Sequence, residues 1–254
     1  MSDTISNRHS RTRRILGTDA LLRIQNAQVA IFGLGGVGGA AFEALVRAGV
    51  SHIFVVDPDR FEESNLNRQF LSSTDVLGRR KVDVAAAYAA RIAPDCCVEG
   101  LPLFYLPEEA SRIPFDRFDF VIDCIDTVSA KISLAEECAK RRIPLVSAMG
   151  AGNRLHAEQL CIAPLEETHG CALARVLRHA LKKRGIRGLL TVFSPEPPTI
   201  SHEEDNKTTP AQGRVVPGSM PYLPSVSGLL LAEVAILSLA GLREMPVPQI
   251  KSRI

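Results

Sequence analysis

The chain has 254 residues, 46% of them hydrophobic, and its 30 basic and 28 acidic side chains leave a net charge of +2. This length and composition suit one large domain with a sizeable core, and the charge balance by itself neither favours nor excludes nucleic acid. No apolar run reaches transmembrane length, the N-terminus is not a secretory signal, and the six cysteines include no Cys-x-x-Cys pair. We therefore expect a cytoplasmic protein with no membrane segment and with reduced thiols.

A glycine-rich turn follows the first predicted strand. Residues 1–14 are polar and arginine-rich and are expected to form a flexible arm, after which an apolar strand covers 29–32 and a helix covers 40–48. The glycines that match or adjoin the pattern Gly-x-Gly-x-x-Gly between them are Gly33, Gly35, Gly36 and Gly38. Such a turn lets backbone N–H groups and a helix N-terminus approach a phosphate. The next strand, 52–56, ends at Asp57, where an acidic residue commonly binds a ribose, so the sequence predicts a nucleotide site.

A polar loop after Asp57 carries side chains suited to a triphosphate. These side chains are Asp59, Asn65, Arg68 and Gln69. The guanidinium of Arg68 offers a fork of N–H donors that matches a phosphate, and Lys81, at the start of a helix predicted over 82–92, adds a point charge. A cation at a helix N-terminus opposes the helix dipole, which indicates an anionic ligand nearby.

Two carboxylates end the buried strand predicted over 118–126. They are Asp123 and Asp126, and ligands bind at the carboxyl ends of the strands in parallel sheets. Mg²⁺ prefers one or two carboxylates together with phosphate oxygens, so we predict Asp126 as its ligand and Asp123 as support. Hydride transfer has no need of Mg²⁺, Arg and Lys gathered in this way, whereas nucleotidyl transfer does.

Alternating strands and helices predict an α/β fold with a Rossmann-like, mainly parallel sheet and helices on both faces. Residues 1–254 are expected to form a single domain. After Gly152 the pattern changes to a C-terminal extension of mixed strands and helices. Residues 195–212, rich in Pro, Glu, Asp and Thr, are expected to form a mobile loop, and 225–239 an apolar helix that packs on the sheet.

A basic amphipathic helix is predicted over 171–183. Its spacing places Arg175, Arg178 and Lys182 on one face, and Lys183, Arg184 and Arg187 extend the basic patch. Taken alone, the patch is typical of a solvated helix face.

The ordered set of polar residues resembles the ubiquitin-activating, E1-like (ThiF-type) adenylating family. The family pattern is a glycine loop, Asp-x-Asp, Asn-x-x-Arg-Gln, a lysine and Asp-x-x-Asp. In this chain it reads Gly33 to Gly38, Asp57/Asp59, Asn65/Arg68/Gln69, Lys81 and Asp123/Asp126. The resemblance implies that ATP and Mg²⁺ convert a carboxylate into an acyl-adenylate. It also implies a homodimer in which an N-terminal arginine, Arg11 or Arg14, reaches the phosphates.

Later segments narrow the resemblance to the branch that acts on threonylcarbamoyladenosine in tRNA. The matching segments are 147–154, 174–186, 192–198 and 218–228. The branch adenylates the carboxylate of N6-threonylcarbamoyladenosine at position 37 of tRNA, and the activated carboxyl then cyclises as AMP leaves. For this chain the resemblance implies that the basic patch contacts the phosphate backbone of tRNA. Some members have a sulfur-transfer partner, and such a partner stays open here.

Three other functions compete with this interpretation. The first is adenylation of the C-terminus of a ubiquitin-like or sulfur-carrier protein, which needs a groove for a Gly-Gly tail rather than a basic patch. The second is a nicotinamide-dependent oxidoreductase, which would bind NAD without dependence on Mg²⁺. The third is a non-catalytic nucleotide sensor, which would bind ATP without releasing AMP.

Overall fold

The computed structural model describes residues 7–199 and 217–250. The α-helices are α1 Ser10–Leu16, α2 Thr18–Asn26, α3 Gly36–Ala48, α4 Lys81–Ile92, α5 Val128–Arg141, α6 Ala172–Lys183 and α7 Tyr222–Leu239. The β-strands are β1 Gln28–Phe32, β2 His52–Val56, β3 Cys97–Leu101, β4 Phe120–Asp123, β5 Leu145–Ala148, β6 Cys161–Pro164, β7 Ile186–Arg187, β8 Leu190–Phe193 and β9 Gln249–Ile250.

Seven strands form one sheet in the order β3-β2-β1-β4-β5-β8-β6. All neighbouring pairs are parallel except β6, which runs antiparallel to β8. The register aligns Phe32 with Val56 on one side and with Asp123 on the other, so β1, β2 and β4 end at the same level. The chain order reverses between β1 and β4, and ligands of doubly wound sheets bind in the crevice at that point. The predicted fold class is confirmed.

Apolar residues of β1 alternate between two cores, one on each face of the sheet. Val29 and Ile31 pack in the core that includes Phe42 of α3. Ala30 and Phe32 pack in the core of α5 and α6. Successive side chains of a strand point to opposite faces, so a strand covered by helices on both sides is apolar throughout.

Helix α7 crosses α3 at close range. A Cβ atom on Gly228 would overlap the carbonyl oxygen of Val37, and one on Gly36 would lie 3.0 Å from the Cβ of Pro224. By length and composition α7 is apolar enough to cross a membrane, which differs from the sequence-based expectation. Half of its 18 residues are buried inside the fold, so its apolar surface is used in packing on α3 and the sheet.

Three predicted segments differ from the structure, and a fourth lies mostly outside the described residues. Helix α3 begins at Gly36 rather than at residue 40, and the strand predicted over 118–126 ends at Asp123. The arm predicted over 1–14 is helical from residue 7 onward, and residues 1–6 lie outside the described residues. Of the loop predicted over 195–212, only 195–199 are described. The two-stranded sheet of β7 and β9 has strands of two residues, too short to give a periodic signal.

Candidate nucleotide-binding site

The glycine turn joins β1 to α3 at the switch point of the sheet. Gly33 has a φ of +92°, a left-handed value that favours glycine, and its N–H donates to the carbonyl of Val56 at 2.8 Å. A Cβ atom on Gly38 would overlap the carbonyl oxygen of Gly33, whereas one on Gly35 would meet nothing closer than 4.0 Å. The predicted glycines therefore divide into those that close the turn and one, Gly35, that leaves space for a ligand at the N-terminus of α3.

This division predicts opposite effects of two alanine substitutions. Gly38→Ala is expected to destabilise the fold by several kcal/mol, because the methyl group forces β1 and α3 apart. Gly35→Ala is expected to keep the wild-type melting temperature and to weaken nucleotide binding, because its methyl group occupies the space beside the first N–H groups of α3. Thermal unfolding and nucleotide titration of both variants check this. Equal melting temperatures for the two would contradict it.

Asp57 connects the glycine turn to the loop after β2. One carboxylate oxygen accepts the N–H of Leu34 at 2.6 Å, and the other accepts the N–H of Asp59 at 2.9 Å. Burial raises the pKa of this carboxyl, while the positive charge of Lys81 and the two N–H groups oppose the rise. Asp57 thus holds the turn in shape. Each oxygen retains a second lone pair that could accept a ribose hydroxyl. The role of Asp57 as a ribose ligand stays a prediction.

Lys81, the first residue of α4, forms an ion pair with Asp59 of the same loop. The ammonium of Lys81 lies 2.9 Å from the carboxylate of Asp59, and the side chains are 5% and 61% exposed respectively. The backbone N–H of Lys81 also donates to the carbonyl of Asp59. The loop therefore places a nearly buried cation beside Asp57, as a phosphate site requires.

Asn65 has a structural role that the sequence did not indicate. Its side-chain oxygen accepts the N–H of Glu62 at 3.2 Å, and the carboxylate of Glu62 in turn accepts the N–H of Asn65, which closes a capping box around the short 3₁₀ helix Glu63–Asn65. This oxygen holds the shape of the loop that carries Arg68, while the amide nitrogen contacts only the hydroxyl of Ser64, at 3.3 Å, among the described residues. That Asn65 reaches the phosphates stays a prediction.

Arg68 and Gln69 are placed next to the glycine turn. The half-buried guanidinium of Arg68 donates to Ser64 O and to the side chain of Asn67, both at 2.9 Å, and the carbonyl of Arg68 lies beside Gly36. Gln69 is buried, its Nε2 lies near Gly35, and its Oε1 has no hydrogen-bond partner within the described ranges. A buried oxygen without a donor, on an amide whose nitrogen faces an open glycine, fits a site completed by a ligand that donates a hydrogen bond.

Asp123 belongs to a buried network. Its carboxylate lies 2.9 Å from the ammonium of Lys131 and accepts the hydroxyl of Ser147 at 2.6 Å and the N–H of Ile125 at 3.1 Å. Lys131 also donates to the carbonyl of Ala148, so its three N–H groups are all used. Asp123 therefore holds the turn after β4, and its supporting role toward Mg²⁺ stays a prediction. Lys131 was missed, because a lysine inside an amphipathic helix gives no sequence signal of full burial.

Asp126 is exposed in the β4–α5 connection, two residues before α5. Its carboxylate accepts only the hydroxyl of Thr127, at 3.5 Å, among the contacts of the described chain. No group of three or more His, Cys, Asp or Glu side chains in the described residues is arranged to hold a metal by itself. A single available carboxylate fits Mg²⁺ that is bound mainly by phosphate oxygens and water.

The two predicted N-terminal arginines lie apart from this cluster of contacts. Arg11 and Arg14 are exposed on α1. Neither forms an ion pair or side-chain hydrogen bond with residues of 7–199 or 217–250. Whether either one reaches a nucleotide stays a prediction.

The basic patch is only partly available to a partner. Arg178 donates to Leu165 O and to both oxygens of Thr168, and Arg184 lies 2.8 Å from the carboxylate of Glu136, so these two stabilise the fold. The other four side chains are exposed and make no ion pair within the part of the chain that the structure describes: Arg175, Lys182, Lys183 and Arg187. Lys182 and Arg187 border a cavity of about 230 Å³ with an apolar floor.

The fold and the site together define a nucleotide-binding α/β protein. The glycine turn follows β1, the acidic residue, the arginine and the lysine follow β2, and the strand-end carboxylate follows β4. All of them lie at one edge of the sheet. The ThiF family matches residues 7–252. The chain belongs to the ThiF family.

Relatives of the chain identify the branch of that family it is similar to. A tRNA threonylcarbamoyladenosine dehydratase of Bacillus subtilis is 36% identical over 251 residues, covering 96% of this chain and 98% of the relative. The Escherichia coli dehydratase is 34% identical over 77% of this chain and 76% of its own length. The crystal structure of the E. coli enzyme in complex with AMP has a TM-score of 0.85 at 29% identity, covering 94% of this chain and 96% of that chain. The predicted resemblance is confirmed.

Proposed function

We propose that this chain adenylates the carboxylate of N6-threonylcarbamoyladenosine at position 37 of tRNA with ATP, and that the activated carboxyl then closes into the cyclic product with AMP as leaving group. The observation that carries the proposal is the gathering of an open glycine turn, Asp57, Arg68 and Lys81 at the switch point. It is supported by the fold shared with a dehydratase whose structures contain ATP and AMP.

The chemistry of the first step explains why these residues are needed. A carboxylate oxygen attacks the α-phosphorus of ATP, and the bond to the β-phosphate oxygen breaks, so negative charge builds up on the departing pyrophosphate. Lys81 and Arg68 place positive charge where that negative charge develops, which lowers the barrier. The N-terminus of α3 and Gly35 would receive the phosphates, and Asp57 the ribose.

The test is AMP release from ATP in the presence of tRNA that carries threonylcarbamoyladenosine, with unmodified tRNA as control. AMP formed only with modified tRNA, together with an RNA product lighter by one water, is the expected result. No AMP with either RNA would contradict the proposal and would favour a carrier protein as the substrate. NAD binding without AMP formation would favour an oxidoreductase.

Asp126 is the residue that would hold Mg²⁺ on the phosphates, and the ion would supply charge neutralisation of the polyphosphate. Asp126→Ala is therefore expected to raise the Mg²⁺ concentration needed for half-maximal AMP formation by at least tenfold. Asp116→Ala, which removes an exposed carboxylate ahead of β4, is the matched control. A wild-type Mg²⁺ requirement in Asp126→Ala would overturn the metal assignment.

The exposed part of the basic patch is proposed to contact the phosphate backbone of tRNA. Helix α6 runs from the carboxyl edge of the sheet, where Gly150 lies beside Cys171, to the amino end of β8, about 17 Å for twelve residues. The four available cations, from Arg175 to Arg187, thus extend away from the nucleotide site. This arrangement suits an RNA whose modified nucleotide is in the crevice.

Charge reversal tests this surface. Lys182→Glu and Arg187→Glu are each expected to weaken the binding of modified and unmodified tRNA by the same factor. Each should also reduce the slope of log affinity against log salt concentration by about one. Arg91→Glu, on α4 and on the opposite face of the sheet, is the matched control. Unchanged salt slopes in both patch variants would place the RNA on another surface.

Several further properties are proposed with the function. The chain is a single adenylating domain, cytoplasmic, and a homodimer in which Arg11 or Arg14 reaches the phosphates of the neighbouring protomer. Sedimentation of the pure chain as a monomer in the presence of ATP would contradict the dimer. A sulfur-transfer partner is a separate proposal that rests on the family resemblance, and copurification of a cysteine-dependent sulfurtransferase with the chain would test it.

A further inference from the structure

Arg154 is a buried cation without an adequate partner among residues 7–199 and 217–250. Its side chain lies in the turn after β5 and the residue is only 5% exposed. Two of its guanidinium nitrogens, Nε and Nη1, make no hydrogen bond in the described structure, and the third reaches only the carbonyl of Gly170, at 3.5 Å. An unpaired buried charge costs several kcal/mol, so buried charges are normally paired with a counter-ion or a ligand.

Glu196 is close enough to interact with the charge of Arg154, but it does not hydrogen-bond the guanidinium. Glu196 directs one carboxylate oxygen to the N–H of Leu155 and the other to the N–H of His156, each at 3.0 Å. No ion pair joins Glu196 to Arg154. The carboxylate fixes the backbone just after Arg154 and leaves the guanidinium donors unused.

The turn that carries Arg154 is connected to the predicted phosphate-binding loop. The N–H of Asn153 donates to the carbonyl of Gly218 at 2.8 Å, and the carbonyl of the next residue, Ser219, accepts the side chain of Asn67 at 3.1 Å. Asn67 in turn accepts the guanidinium of Arg68. Arg154 therefore belongs to the same edge of the sheet as the nucleotide site, although none of the nucleotide-binding patterns includes it.

We propose that Arg154 binds an oxyanion of the RNA substrate beside the nucleotide site, either the carboxylate of the modified nucleoside or a backbone phosphate. This inference rests on the proposed function for the identity of the substrate. A guanidinium is always charged, and its planar N–H donors match both carboxylate and phosphate oxygens. Binding of the anion supplies the partner that the fold does not provide.

Arg154→Met is the variant that separates binding from structure, because methionine keeps much of the side-chain length and removes the charge. It is expected to melt at or above the wild-type temperature and to bind ATP normally, since a buried unpaired charge is lost. Its affinity for modified tRNA is expected to fall at least tenfold, the weaker limit for a hydrogen bond to a charged group. Arg154→Lys should recover part of that loss, and Arg91→Met is the matched control.

The choice of RNA ligand identifies the anion. A loss confined to modified tRNA and the free nucleoside would assign the carboxylate, and an equal loss for unmodified tRNA would assign a phosphate. Wild-type affinity in Arg154→Met would overturn the inference, as would a lowered melting temperature with lost ATP binding.

Should wild type itself form no AMP with modified tRNA, the proposed function fails separately. Inorganic phosphate, added with saturating AMP, should then still raise the melting temperature of wild type but not of Arg154→Met.

Discussion

Replacing Lys131 by methionine is expected to lower the free energy of unfolding by about 3–5 kcal/mol, the cost of breaking a buried ion pair by removing one partner. The side chains of Lys131 and Asp123 are 0% and 1% exposed, so water cannot solvate the charge that either one would leave unpaired. The change leaves the Asp123 carboxylate charged and buried, with only the hydroxyl of Ser147 and one N–H group beside it. Chemical denaturation gives the size of the effect from the shift in midpoint.

The same helix supplies the control. Lys140 of α5 pairs with Glu137 at 2.7 Å, but its side chain is 55% exposed, and surface pairs of this kind contribute about 0–1 kcal/mol. Lys140→Met should therefore unfold close to wild type. A double variant, Lys131→Met with Asp123→Asn, removes both charges and keeps an acceptor for Ile125, so it should recover much of the loss. Equal midpoints for Lys131→Met and Lys140→Met would contradict the buried pair.

The consequence for function follows from the turn that Asp123 holds. Its carboxylate accepts the N–H of Ile125, one residue before Asp126, and so orients the predicted metal ligand. Lys131 is in this sense a positioning residue, which acts through Asp123 rather than on a substrate. At a low temperature at which the Lys131→Met variant remains folded, the Mg²⁺ concentration needed for half-maximal AMP formation should rise. A merely structural role would leave it unchanged.

Arg68→Ala is expected to slow AMP formation by about 10²–10³-fold, as the loss of one donor to a developing negative charge does in other active sites. The guanidinium is half-buried and is held beside the glycine turn by hydrogen bonds to Ser64 and Asn67. Arg68→Lys keeps the charge but loses the planar fork, so it should recover only part of the rate. Single-turnover measurement of AMP isolates this step from product release.

Arg60 is the matched control for that variant. It lies in the same loop, is exposed, and donates to the carbonyl of Gly78 at 2.7 Å. Arg60→Ala should therefore keep the wild-type rate. Equal rates for Arg68→Ala and wild type would show that Arg68 does not meet the phosphates, and a lowered melting temperature in Arg68→Ala alone would assign it to loop structure.

Local sequence determined the framework of the protein. Hydrophobic runs and their spacing predicted the mainly parallel sheet, because strands covered by helices on both faces must be apolar throughout. The glycine turn and Asp57 predicted the position of the site, because the carboxyl ends of parallel strands meet at one edge. The order of the polar residues then predicted the family, which the similarity over residues 7–252 confirms.

Only the tertiary structure decided which side chains are free to act. The sequence could not show that the side-chain oxygen of Asn65 is used in a capping box or that Arg178 is committed to the turn around Thr168, because those partners meet through folding. It could not show that Lys131 is buried, or that Arg154 is buried with two guanidinium nitrogens unpaired in the described part of the chain, because burial is a property of contacts distant in sequence. A charged residue acquires its role from what the fold places, or fails to place, around it.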